Sequence, residues 1–153
     1  MLAQPLNAEL ISLDALNLER GLVSGDGAGV TEWTLTHRIA HARVTAIRAG
    51  RDAIVDDTSS PRFLRDDWRT LTRALGADFR LIYLQADPEL VTGRRANNHI
   101  DPRRGATYGM RCWLAHLQAF EPPGRDEHPL VLNADSDSRA LLRALLGHFP
   151  PTE

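Results

Sequence analysis

Lysine is missing from this chain altogether: all 18 basic residues, from Arg20 to Arg143, are arginine. For these residues alone, that excludes any mechanism that needs a lysine ammonium on a phosphate or a Schiff base. Cysteine is almost missing as well. Cys112 stands alone, so no disulfide can close within the chain, and a cytoplasmic protein is expected. Apolar runs extend for only a few residues, far short of a bilayer span, so no membrane partner is expected. The segment Met1–Ala8 has no basic region and too short an apolar run for a signal peptide. No strong excess of either charge is present. A net charge of −2 gives no broad pull toward nucleic acid or a membrane surface, and leaves nucleic acid open as a substrate.

What is present suits one core. With 42% apolar residues in 153, the expectation is a single domain spanning residues 1–153. Short apolar runs alternate with stretches of helical period, the pattern of a parallel sheet with crossover helices. Strands are predicted at Glu9–Leu13, Ala53–Asp56, Phe79–Leu84 and Leu130–Leu132. Their continuous apolar character suits strands covered on both faces.

Helices fall between them. Trp33, Ala40, Val44 and Ile47 share one face of a helix from about Thr31 to Ala49, which Gly50 stops. Ser60 and Pro61 are expected to cap and open the next helix. Phe63, Leu64, Trp68, Leu71 and Leu75 form its buried stripe, and Gly76 ends it. Asp87–Pro88 opens a third, Met110 to Leu117 mark a fourth, and Asp135 or Ser136 caps a last one bearing Leu141, Leu142, Leu145 and Leu146.

Carboxylates close two of the strands, Asp14 after the first and Asp56–Asp57 after the second. Ligands of open parallel sheets bind at that edge, and an apolar run ending in aspartate is the pattern that holds Mg²⁺ beside nucleotide phosphates. The alternative is that these aspartates only cap the following helix or loop. Arg94–Arg95 and Arg103–Arg104 follow the third strand. Guanidinium groups there suit a lid closing over phosphates; the alternative is a solvated helical face. His37 and His41 have zinc-compatible spacing, but Arg38 stands where H-E-x-x-H needs glutamate, so both are read as structural. Cys112 beside Trp113 reads as a packed small hydrophobe, and Asp135–Asp137 as a helix cap.

The order of these segments is itself a signal. Ile11–Asp14, Thr36–Ala40, Ile54–Thr58, Phe63–Asp66, Leu81–Leu84, Arg94–Arg95 and Phe120–Pro123 together resemble a bacterial family of AAA-type P-loop kinases. Those proteins are similar in core to polynucleotide 5′-kinases, gluconate kinases and zeta toxins. The resemblance runs from about Leu2 to about Leu146. It implies an α/β fold, a five-stranded parallel sheet with helices on both faces, and a lid-like region at about residues 94–120. It also implies ATP and Mg²⁺ as cofactors of intact relatives, with a nucleotide and a hydroxyl-bearing substrate as partners. Asp14 falls where a carboxylate near the acceptor hydroxyl acts as general base. Asp57, with Asp56 beside it, falls where Mg²⁺ is oriented through water. Arg94 or Arg95 falls at the base of the lid against ATP, and Arg103 and Arg104 are further lid candidates.

The departure is at the front. The family begins with a central strand and G-x-x-x-x-G-K-[ST], followed by a helix whose end resembles Leu2–Leu6; here Met1 falls within that helix. Ser24–Thr31 is glycine-rich but has no lysine, the wrong spacing and no strand before it, and reads as a connection. The resemblance therefore implies a kinase body inactive without its phosphate loop. Two other readings stand beside it: a remnant or pseudokinase acting as a binding module, and a zeta-toxin-like regulator. In-frame codons upstream of Met1 that encode the strand and loop would favour the first. A stop there would favour a non-catalytic role.

Overall fold

The computed structural model describes residues 6–22, 30–47, 50–97, 115, 117–135 and 138–149. In chain order the elements are β1 (Glu9–Ser12), α1 (Leu13–Glu19), α2 (Val30–Ala46), β2 (Ala53–Asp56), α3 (Arg62–Ala74), β3 (Ile82–Gln85), α4 (Pro88–Asn97), β4 (Leu130–Asn133) and α5 (Ser138–His148). A 3₁₀ turn, Arg125–Glu127, precedes β4. All four strands overlap the predicted runs, with β3 and β4 each running one residue further, to Gln85 and Asn133. β1 pairs with β2 and β3 with β4, both in parallel, giving two two-stranded sheets among the described residues. This is an α/β fold with parallel pairing, as the alternation of apolar runs and helical stretches implies.

Strand ends differ from the expectation for local reasons. β1 stops at Ser12 because its hydroxyl accepts a hydrogen bond from the Ala15 amide at 3.4 Å, and Leu13 becomes the first residue of α1. β3 starts at Ile82 rather than Phe79. The bond from the Leu130 amide to the Leu81 carbonyl (2.8 Å) opens its ladder with β4, and Phe79 lies instead under the Arg69 guanidinium, 5.0 Å from the ring centroid.

The core gathers where α1, α2 and α3 meet β1. Ile11, Leu13, Leu16, Ala40, Val44 and Trp68 are buried together, with Ile39, Ile47, Val55, Leu71 and Phe79 packed against them. The predicted stripe of α3 is narrower than its pattern. Leu64 and Trp68 are buried, but Phe63 is 63% exposed and Leu75 43%. Trp33 on α2 is likewise 39% exposed.

Pro61, not Ser60, is the N-cap of α3, and it has no side chain to offer the orphan amides. Glu121 Oε2 fills that role by accepting from the Arg62 amide at 2.8 Å, which ties α3 to the segment before β4. Gly76, at φ +67°, ends the helix in the left-handed conformation, with its amide bonded to the Arg73 carbonyl and that of Ala77 to the Thr72 carbonyl. Asp87 opens α4 as expected, its Oδ1 accepting from the Glu89 amide at 2.7 Å. Residue 115 and residues 117–119 are helical, whereas most of the predicted fourth helix, including Met110, Trp113 and Leu114, lies outside the described residues.

Candidate functional site

The register of the first sheet sets the geometry. Ser12 lies opposite Asp56, so both chains leave their strands at the same carboxyl edge. There Asp14 enters the first turn of α1 and is exposed, Asp56 ends β2 and is exposed, and Asp57 follows with its side chain 11% exposed. The structure thus gathers Asp14, Asp56 and Asp57 at one edge. Arg94 and Arg95 fall in the second half of α4, but their side chains lie outside the described residues. Arg103 and Arg104 lie outside them altogether.

The loop carrying Asp57 is held from both sides. Ser59 adopts φ +38°, a left-handed conformation that a side chain resists, and its hydroxyl donates to Asp57 Oδ2 at 2.6 Å. Arg65 Nη1 donates to the Ser59, Ser60 and Glu121 carbonyls at 3.0, 2.7 and 3.0 Å. Its Nε and Nη2 grip the two Glu127 oxygens at 2.7 and 2.9 Å. This bidentate pair is buried, with the two side chains 3% and 1% exposed. The Arg65 hydrogen bond is the main reason the Glu127 carboxyl is lowered to about 2; the Gly124 amide, donating at 2.8 Å, adds to it. In return, Glu127 raises Arg65. With every nitrogen engaged within the protein and the side chain buried, Arg65 acts as a structural clamp.

His37 approaches Asp57 from α2. The imidazole is buried between Trp33 and Trp68, with ring centroids 4.2 and 6.3 Å away. Its Nε2 is 3.9 Å from Asp57 Oδ2, too long for a hydrogen bond, and neither ring nitrogen has a partner among the described residues. Burial lowers its pKa, outweighing the opposing attraction of Asp57, so the ring is neutral at pH 7. His41, one turn on, packs against Trp68 with the rings tilted by 45° and their centroids 4.2 Å apart, and faces Asp67 Oδ2 at 3.3 Å. The sequence pattern marks neither the His37–Asp57 approach nor the Arg65–Glu127 pair. The partners stand 20 and 62 residues apart, and only the tertiary fold brings them together.

Beyond Asp57 lies a cavity of about 440 Å³. Ala53, Ile54 and Val55 of β2 and Leu81, Ile82 and Tyr83 at β3 are among the residues that line it. Asp57, Thr58 and Ser59 are among its polar lining residues, while Val44, Trp68, Leu145 and Phe149 contribute apolar surface.

Residues 1–123 match the family model AAA_33, an AAA domain. The chain belongs to this AAA domain family, whose members are P-loop kinase-like. The crystal structure of an unliganded sugar kinase from Janibacter sp. HTCC2649 is similar to this AAA domain with a TM-score of 0.62 at 19% identity, over 98% of this chain and 85% of the other. That likeness shows a shared P-loop kinase fold. No curated protein matches this AAA domain chain. Among its described residues no helix is long and apolar enough to cross a membrane.

Proposed function

We propose that this AAA domain is the body of a P-loop kinase-type phosphotransferase whose 153 residues carry the metal-orienting and proton-accepting groups but not the phosphate cradle. The observation that supports this most is the register placing Asp14 and Asp57 at one carboxyl edge of parallel strands. The described residues fit one half of MgATP. Asp57 is a hard oxygen donor in the lining of the cavity, hydrogen-bonded by Ser59, and Mg²⁺ sites use one or two such carboxylates with water completing the shell. They do not fit the other half. The chain has no lysine, and Arg65 in the cavity lining is committed to Glu127 and three carbonyls.

MgATP, where bound, supplies the transferable phosphoryl group and the charge neutralisation that makes transfer possible. The residues of this chain then have two tasks. Asp57, with Asp56 beside it, orients metal-bound water. Asp14, exposed at the start of α1, accepts the proton of the acceptor hydroxyl as that oxygen becomes the nucleophile. Arg94, Arg95, Arg103 and Arg104 are the candidates for contacts with ATP in a lid at about residues 94–120.

A non-catalytic reading, in which the fold serves as a binding module, is favoured by the same missing lysine and by the commitment of Arg65 to Glu127. The proposal is tested by ATP turnover of the chain as written, beside Asp57→Ala and Asp14→Asn. The proposal expects all three to be indistinguishable from background. Turnover that both substitutions abolish would show that the site works without a phosphate loop, and would overturn it.

A further inference from the structure

Ser59 combines two features that pull against each other. Its backbone adopts φ +38°, in the left-handed region where a β-carbon crowds the chain and glycine sits without strain. Its hydroxyl donates to Asp57 Oδ2 at 2.6 Å, a short bond of the kind a hydroxyl makes to a carboxylate. A glycine would relieve the backbone and lose that bond. Strained backbone persists only where its surroundings dictate it, and here they do. Arg65 Nη1 holds the Ser59 and Ser60 carbonyls at 3.0 and 2.7 Å. Glu127 grips the other two guanidinium nitrogens, so Arg65 is itself anchored. Pro61 follows, and a proline biases the residue before it toward extended backbone. Ser59 engages one oxygen of the carboxylate, and the other, Oδ1, has no hydrogen-bond partner among the described residues. His37 Nε2, 3.9 Å from Oδ2, is too far to share in holding it.

We propose that Ser59 is a positioning residue for Asp57: its hydroxyl locks the carboxylate in one orientation, with Oδ1 left to accept from metal-bound water. The strained backbone is the consequence of placing a hydroxyl there, and the Glu127–Arg65 pair sustains it. A free aspartate side chain must be ordered when it meets the hydration shell of a metal ion, whereas a side chain already ordered loses nothing more. That difference is what the Ser59 bond contributes to binding. The metal half of this inference rests on the kinase reading above. The hold of Ser59 on the side chain rests on the hydrogen bond and the backbone alone.

The test uses the full chain with two opposed substitutions. Ser59→Gly removes the strain together with the hydroxyl. Ser59→Thr keeps the hydroxyl but puts a β-branched side chain on a backbone that disfavours one. Urea unfolding should therefore place Ser59→Gly above Ser59→Thr in stability. Orientation is read by NMR from the three-bond couplings of Asp57 Cγ to its own backbone nitrogen and carbonyl carbon, which report whether χ1 occupies one well. Wild type and Ser59→Thr should show one well, and Ser59→Gly an average over several. Mn²⁺ alone, standing in for Mg²⁺, should broaden the Asp57 amide signal saturably in the wild type and not in Asp57→Asn. Ser59→Gly should need at least about threefold more Mn²⁺ for the same broadening. A merely structural role would make both readouts follow the urea midpoint. Couplings or Mn²⁺ affinity that track stability rather than the hydroxyl would overturn the proposal. So would wild-type couplings in Ser59→Gly, or equal Mn²⁺ affinity of that variant and the wild type. If the couplings behave as expected but Mn²⁺ leaves the wild-type Asp57 signal unbroadened, the metal reading of Asp57 fails while the positioning of its side chain stands.

Discussion

Replacing Glu127 by glutamine tests the clamp that shapes the Asp57 loop. Glu127 and Arg65 form a buried bidentate pair, and the pair holds the Glu127 carboxyl at about 2 against an ordinary value of 4.5. A depression of that size corresponds to about 3 kcal/mol of folding stability, at 1.36 kcal/mol per unit. The sign follows from the direction. A carboxyl lowered in the folded state contributes fully above its unfolded value, and the contribution drains away as pH falls from about 5 toward 2. Between pH 6 and pH 3.5 the wild-type chain should therefore lose about 1–2 kcal/mol through this group alone. Glu127→Gln, which cannot titrate, lacks that component. The two should be compared by urea unfolding at both pH values, because Asp126, also lowered by its hydrogen bond with Arg62, titrates in both proteins and cancels in the difference. At pH 7, removing one partner of a buried pair is expected to cost about 3–5 kcal/mol. That is a shift of roughly 1–3 M in the urea midpoint. Equal pH slopes for the two proteins, or a loss under about 1 kcal/mol at pH 7, would refute the reasoning.

Other substitutions probe separate links. Trp68→Ala removes the largest aromatic surface of the core and should cost about 3–5 kcal/mol by chemical denaturation. Gly76→Ala places a β-carbon on a backbone at φ +67° in open space, so the strain is conformational only and about 1 kcal/mol of stability should be lost. His37→Leu removes two buried ring nitrogens that have no partner among the described residues, and should leave stability unchanged or raise it by about 1 kcal/mol. A clear loss would mean that those nitrogens are paired through water.

The strands were legible because each carries an uninterrupted apolar run: Ile11, Ile54-Val55, Ile82 and Leu130-Val131-Leu132 each sit in such a run and each lies in a strand. The expectation that both faces are covered does not hold among the described residues, where Leu10, Leu84 and Val131 are exposed. The helix stop at Gly76 was legible because it adopts positive φ, at +67°, whereas α2 ends at Ala46, before the expected stop at Gly50. Local competition was harder to read. Ser12 could extend a strand or cap a helix, and the hydroxyl-to-amide bond to Ala15 decided for the helix. Phe63 and Trp33 follow helical spacing yet stay largely exposed, since periodicity gives a face but not its width. At the site, the carboxylates were visible as strand-end aspartates. The histidine facing Asp57 and the clamp behind its loop were not, because no local pattern encodes contacts across tens of residues.

The central claim is that these residues form a kinase-type body without a phosphate cradle, and calorimetric titration with MgATP tests it most directly. The chain as written is compared with the same chain carrying, ahead of Met1, an apolar strand and G-x-x-x-x-G-K-T leading into the helix. Backbone amides and the lysine of such a loop supply most phosphate binding in this class. The account predicts no measurable heat of binding for the chain alone and saturable binding for the extended protein, weakened by Asp57→Ala. Micromolar binding by the unextended chain, abolished by Asp57→Ala, would contradict it.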